Sequence, residues 1–373
     1  MKIGLITTAM DEKKAGIGWY CYNLIKNLRE IDKGNEYILI HRYKNDDPIY
    51  KENKELIIPY PKIPMKKTIG DNVQIAFKLR KLKFDIVHEL AHSAFFMFDL
   101  PFKKVITIHD LTPVLFPQTF DRFTVFIHKY LLPRALEKVN RIITVSENTK
   151  ADIVKYFGIS EEKIEVIHNG VDHEHFKKLD RGGCYRKLKI KYGIDFKFIL
   201  SVGTIEPRKN YTNLVKAFYE LKKRKIYHKL VIIGKTGWKY ESFYDAIEKL
   251  RLKKDVLLLG YVPYEDLPLF YNCAEVFVYP SLYEGFGLPP LEAMACGCPV
   301  VVSNCSSLPE VVGDAGILVD PYDHKKLAES LYEVLSDEGL RKHLTLKGLR
   351  RAKKFSWKET AKKTLKVYEG LKS

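Results

Sequence analysis

EVFVYPSLYEGFGLPPLEAMACGCPVVVS, residues 275–303, runs from one apolar segment through a turn-rich loop and a helix former into a second apolar segment. EVFVYPS (275–281) and PVVVS (299–303) are short, rich in β-branched residues and read as strands. Leu291-Glu292-Ala293-Met294-Ala295 favours a helix. Pro289 and Pro290 suit a first helical turn, where missing N–H groups matter least. The stretch is one β-α-β unit.

The same alternation extends in both directions. Toward the amino end, KIGLITT (2–8), YILIHRY (37–43), FDIVHE (84–89), KVITIHD (104–110), RIITVSE (141–147) and KIEVIHNGVD (163–172) read as strands. Helical patterns fall at 16–30 and near 70–82, 121–138 and 147–157. The polar stretch 173–194 reads as a linker. FKFILSVG (196–203), KLVIIG (229–234) and DVLLLGYV (255–262) then resume the series, with helices from about 210 and 240. Two series of β-α units predict an α/β protein of two doubly wound, Rossmann-like domains. The expected limits are 1–170, 171–355 and a terminal helix over 356–373 that packs back toward the first domain. Ligands of such sheets bind beyond the carboxyl ends of the strands, so the expected site is a cleft between the domains.

Composition excludes several classes. The 373 residues are 46% hydrophobic, enough for two cores. No run is long and apolar enough to span a bilayer, and MKIGLITTAMDEKK lacks the pattern of a signal peptide. A cytoplasmic protein is expected, peripheral at the inner face of the cell membrane if it binds one. The six cysteines, at 21, 184, 273, 296, 298 and 305, form no CxxC pair and have no zinc-type partners, so free thiols and no metal site are expected.

The net charge of +17 attracts polyanions or anionic membranes. Residues 62–83 carry seven basic residues and one acid, and 341–373 carry twelve and two. Within the first, Ile75, Leu79 and Leu82 recur at helical spacing among Lys78, Arg80, Lys81 and Lys83. That pattern fits an amphipathic helix on an anionic membrane, or a core-facing helix with a solvated basic face. No nucleic-acid-binding motif accompanies the charge.

Three motifs carry chemistry. Gly16-Ile17-Gly18 opens the first helix, where glycines admit a ligand to the helix N-terminus or simply make a tight turn. Second, Gly203 ends a strand, and Arg208-Lys209 follow at that end. Adjacent cations there suit a departing diphosphate, or are a solvated pair at a helix start. Third, Glu284 and Glu292 flank Gly285-Phe286-Gly287-Leu288, whose backbone donors lie at a helix N-terminus. One carboxylate in the loop, backbone donors, and a second carboxylate able to take two ribose hydroxyls together match a nucleotide sugar.

Glu284 to Glu292 resembles the E-x7-E motif of the retaining glycosyltransferases of family four, which have the GT-B fold. The resemblance runs along nearly the whole chain. It includes His109-Asp110, Val145-Ser146, Asn169-Gly170-Val171-Asp172, Arg208-Lys209-Asn210, Gly260-Tyr261-Val262 and Phe355-Ser356-Trp357. It implies that Arg208 and Lys209, with Gly16 or Gly18, stabilise the leaving diphosphate. Glu284 would bind the donor sugar, supported by the backbone of Phe286, Gly287 and Leu288. Glu292 would hold the ribose, Val262 would lie beside the base, and His109 would sit near the transferred sugar. The family's Arg-x5-Lys spacing is replaced here by adjacent cations.

The resemblance further implies retention of configuration, no metal and no cofactor beyond the GDP- or UDP-linked donor, with GDP-mannose the first choice. A saccharide or lipid-linked saccharide is the expected acceptor in polysaccharide biosynthesis. A GT-B-like epimerase or phosphorylase, and a basic nucleic-acid or membrane-surface binder, are the alternatives. Ser146 is expected to cap the following helix and Phe355-Ser356-Trp357 to anchor the last one.

Overall fold

The computed structural model describes residues 1–11, 16–59, 74–91 and 96–372. The chain divides into two compact units, Met1–Gly170 with Trp357–Ser373, and Val171–Ser356.

The first unit holds a seven-stranded sheet: β1 Lys2–Ile6, β2 Glu36–His41, β3 Lys54–Ile57, β4 Ile86–Glu89, β5 Lys103–Ile108, β6 Arg141–Thr144 and β7 Ile164–Val166. Its order is β3-β2-β1-β4-β5-β6-β7, and every pairing is parallel. The second holds β8 Phe198–Val202, β9 Lys229–Ile233, β10 Val256–Gly260, β11 Val276–Tyr279, β12 Val300–Ser303 and β13 Ile317–Val319. Its order is β10-β9-β8-β11-β12-β13, again all parallel. Each is a doubly wound, Rossmann-like sheet whose winding reverses once, beside β1 in the first unit and beside β8 in the second. Those switch points open crevices at the carboxyl ends of the strands.

Each core lies between its sheet and the covering helices. In the first unit Ile6, Val87, Ile106 and Ile142 of the strands meet Leu132, Leu136 and Ile153 of the helices. In the second, Ile199, Leu230, Val276 and Val301 meet Leu214, Phe218 and Leu331.

Three sequence expectations change. The stretch 173–194 is not simply a linker. It contains the helix Arg181–Tyr192, with the Asp180 carboxylate accepting from Gly183 N–H and Gly193 left-handed at its end. Only Cys184 and Leu188 of that helix are buried, so its periodicity is faint, but both caps are in the sequence. The helical segment 121–138 is broken into Arg122–Phe126, a π-helical turn over Ile127–Leu131, and Leu132–Lys138. Pro133 explains the break, since its missing N–H and its ring forbid the regular bond one turn back. Strands β3 and β13 escaped notice because one is an exposed edge and the other only three residues long.

In the basic segment 62–83, residues 62–73 lie outside the described residues, and the chain is helical over 74–79. Ile75 and Leu79 are buried in the first core, so the helix turns its apolar face inward. Ser146 accepts the N–H of Thr149 at 3.1 Å and caps the helix Glu147–Phe157. Trp357 is buried at the start of the last helix, Trp357–Glu369.

Candidate active site

The second sheet's switch point brings Gly203, Arg208, Lys209 and Glu284 together. The loop after β8 passes Gly203 and makes a tight 3-10 turn over Pro207–Lys209. The loop after β11 runs Pro280 to Gly287. Backbone bonds lock the two loops, with Leu282 N–H donating to the Arg208 carbonyl at 2.8 Å. At the far side of the first loop, Gly234 allows the close approach. A Cβ there would lie 1.9 Å from the Gly203 carbonyl oxygen, so no other residue fits.

Glu284 is the hub. Its Oε1 accepts from Lys209 Nζ at 2.5 Å, Arg208 Nη1 at 2.9 Å and Ser281 Oγ at 2.5 Å. Lys209 also donates to Tyr279 Oη at 2.5 Å. Arg208 donates to the Tyr283 carbonyl at 2.7 Å and to Glu206 Oε1 at 2.6 Å. All four charged side chains are at least four-fifths removed from solvent. Burial alone would raise the Glu284 carboxyl, but the Arg208 and Lys209 charges and their hydrogen bonds outweigh it and hold it at about 2. Burial pulls the Lys209 ammonium down, against the Glu284 charge. Two cations and two carboxylates sum to zero. A diphosphate reaching Lys209 therefore competes with Glu284 for it.

The helix Leu288–Ala295 begins directly after this cluster. Pro289 and Pro290 remove two of its early donors, leaving the N–H of Leu288 in the first turn, with those of Gly287 and Phe286 just before it. Gly287 has φ +112°, and a Cβ on it would stand 2.8 Å from Leu308 Cδ2. Ser307 Oγ bonds the carbonyls of Glu284 and Phe286 at 2.9 and 2.7 Å, and Ser306 Oγ accepts the Glu284 N–H at 3.0 Å. The Gly285-Phe286-Gly287 turn is thus fixed from behind.

Glu292 is one turn further in and is not part of the cluster. Its Oε2 accepts from Tyr271 Oη at 2.8 Å. Burial pushes its carboxyl up to about 7, with the Tyr271 hydrogen bond pulling the other way. One E-x7-E motif therefore holds one carboxyl depressed below the ordinary range and one raised above it. Val262 is buried just past β10.

In the first unit, Gly16 opens the helix Gly16–Ile31, Gly18 is buried in its first turn, and a Cβ on Gly16 would meet nothing within 4 Å. His109 follows β5 and is 7% exposed. Its Nε2–H donates to the Leu90 carbonyl at 2.8 Å, and burial lowers its basicity, so the ring is neutral at physiological pH. Asp110 accepts the Thr112 N–H at 2.8 Å. Among the described residues, no group of three His, Cys, Asp or Glu side chains could hold a metal ion.

Sequence reasoning missed Tyr279, Ser281, Tyr271, Glu206, Ser306 and Ser307. Ser281 stands three residues before Glu284, a spacing that resembles a capping pair and could have flagged it. Tyr271 is twenty-one residues from Glu292 and carries no local signal.

Comparison with known proteins shows the family of the chain. Residues 15–175 match the family described as Glycosyltransferase Family 4, and 186–351 match Glycosyl transferases group 1. O-antigen chain mannosyltransferase B of Escherichia coli is 32% identical, with 99% of this chain and 100% of that protein covered. The serotype-specific mannosyltransferase WbdA of Escherichia coli is 33% identical over 70% of this chain, which spans 33% of that protein. Among solved structures, Anabaena HepE in complex with UDP-glucose has a TM-score of 0.80 at 18% identity, with 99% of this chain and 100% of that one covered.

Proposed function

The chain belongs to the group 1 glycosyltransferases of family four and has the Rossmann-like units of the GT-B fold, and on that premise we propose that it transfers mannose from GDP-mannose to a saccharide or lipid-linked saccharide, with retention at the anomeric carbon. One observation carries the reading: half-buried Arg208 meets buried Lys209 and Glu284 at a sheet's switch point, beside a helix N-terminus.

As the anomeric C–O bond loosens, its electron pair passes to the β-phosphate oxygen, and negative charge grows there. Arg208 and Lys209, already positioned, stabilise that charge, with the N–H groups of Phe286, Gly287 and Leu288 and the helix opened by Gly16 and Gly18 adding to them. The acceptor hydroxyl attacks the face that the leaving group vacates, and its proton passes to the departing phosphate. Glu284 releases Lys209 to the diphosphate and accepts a hydroxyl of the sugar. Glu292 holds the ribose, Val262 lies beside the base, and neutral His109 lies beside the transferred sugar. Because side-chain cations supply the charge, the transfer needs no metal. Mannose is supported by the relatives named as mannosyltransferases.

Incubation with GDP-mannose, UDP-glucose and UDP-galactose, with and without an oligosaccharide or polyprenyl-diphosphate-linked acceptor, tests this. GDP-mannose should raise the unfolding temperature most and give an α-linked product by NMR. A β-linked product overturns retention, and preference for a UDP-sugar overturns the donor. A GT-B-like epimerase would instead convert the sugar without an acceptor, and a phosphorylase would require inorganic phosphate.

The acceptor-bearing membrane is a second element of the reading. Phe77 and Phe98 are 58% and 36% exposed, with ring centroids 5.9 Å apart. Exposed Lys78, Arg80, Lys81 and Lys83 follow Phe77 in sequence. Since Ile75 and Leu79 face the core, contact with an anionic bilayer would fall to the phenylalanines and these cations.

A further inference from the structure

His109 is held on one side by a chain of buried polar groups with no part in the proposed transfer. His88, on β4, has no solvent exposure. Its Nδ1 lies 2.6 Å from Tyr368 Oη and its Nε2 lies 2.8 Å from Thr107 Oγ1. Thr107 Oγ1 in turn lies 3.1 Å from Tyr20 Oη. The Tyr20 ring stands edge-on to His109 with centroids 4.7 Å apart, and edge-on to Trp357 at 5.9 Å. Tyr20 is the fifth residue of the helix that Gly16 opens, just past its first turn. Tyr368 sits near the end of the last helix, Trp357–Glu369.

Burial brings His88 down to about 3, so its ring is neutral, with one N–H and one lone pair. Such a ring donates through one nitrogen and accepts at the other, so it bonds Tyr368 and Thr107 at once, and the Thr107 and Tyr20 hydroxyls share a further bond. Apolar side chains could fill the same space without burying polar groups. What the polar chain adds is orientation, because each ring is fixed by a directional bond rather than by packing alone.

We propose that Tyr368, His88, Thr107 and Tyr20 form a positioning relay that sets the ring of His109 and the first turn of the Gly16–Ile31 helix, so that the last helix of the chain tunes the transfer step. The proposal rests on the reading that His109 lies beside the transferred sugar.

The relay is tested with Tyr368→Phe, Thr107→Val and Thr107→Ser, alone and combined with His109→Ala. Each of the first two deletes one link of about 1.4 kcal/mol, so kcat should fall about tenfold with donor KM within twofold. Thr107→Ser keeps the hydroxyl and should stay within twofold of wild type. In a His109→Ala background, Tyr368→Phe should cause no further loss, since the group it positions is gone. Unchanged kcat in Tyr368→Phe overturns the relay, as does the full tenfold loss persisting without the imidazole. Wild-type activity in His109→Ala alone overturns the reading of His109, and the relay with it. Should Thr107→Val fail to fold, Tyr368→Phe carries the test, since it removes one oxygen and keeps the ring.

Discussion

At the scale of the residue, the two glutamates of one motif do opposite things with a proton. Glu284 has its carboxyl depressed to about 2 because Arg208 and Lys209 overcome the effect of burial. A depressed carboxyl contributes stability above the ordinary carboxylate range, and that stability is lost as pH falls from about 4.5 toward 2. Removing it leaves buried Lys209 without its carboxylate and Arg208 with Glu206 alone, so Glu284→Ala should lose about 3 kcal/mol, read from urea unfolding. Arg208→Ala with Lys209→Ala should reduce kcat more than donor affinity, because the charge they meet is largest at the transition state. Equal losses in both would confine them to ground-state binding. Glu292 runs the other way. Burial raises its carboxyl to about 7, so its contribution to the stability of the unliganded protein is complete below about 4.5 and is lost as pH rises through 7. On the proposed reading, in which ribose hydroxyls take the ionised form, donor binding has the opposite slope. Affinity by calorimetry should drop up to about tenfold per unit below pH 7, and Glu292→Gln should flatten both slopes. Glu292→Ala should weaken the donor by about 1.5–3 kcal/mol while leaving the fold intact.

At the scale of the element, the loop-to-helix junction at Gly287 governs how the donors of Phe286, Gly287 and Leu288 are presented. Gly287 combines φ +112° with a Leu308 methyl 2.8 Å from where a Cβ would sit. Gly287→Ala is therefore expected to cost about 1–3 kcal/mol of stability and to weaken donor binding, because the turn must shift. Thermal unfolding and donor titration on the same variant check both halves. The helix Arg181–Tyr192 offers a milder comparison. Its cap, Asp180, is distant in sequence from the cluster, and Asp180→Ala should cost about 1 kcal/mol with donor affinity unchanged.

At the scale of the whole molecule, the +17 charge makes anionic surfaces attractive. Salt-sensitive flotation with anionic but not neutral vesicles is expected, and Lys78, Arg80, Lys81 and Lys83 changed together to Gln should largely abolish it, at about 1 kcal/mol for each cation. Absence of binding at low salt would leave a soluble saccharide as acceptor. Activity should survive EDTA, and its loss would overturn the metal-free reading. The sequence by itself determined the alternation of strands and helices, and with it the α/β class. Apolar runs and helical spacing are local properties, and parallel pairing follows once they alternate. It also marked Arg208, Lys209, Glu284 and Glu292, whose spacing along two loops and the helix after the second is local too. Only the tertiary structure decided that Glu284 binds both cations while Glu292 stands apart on Tyr271, since those contacts join residues seventy-five and twenty-one positions away. It alone turned the apolar face of 74–79 into the core and joined Tyr368 to His88 across 280 residues. Burial and long-range pairing set a side chain's charge state and reach, and neither is written in the residues beside it.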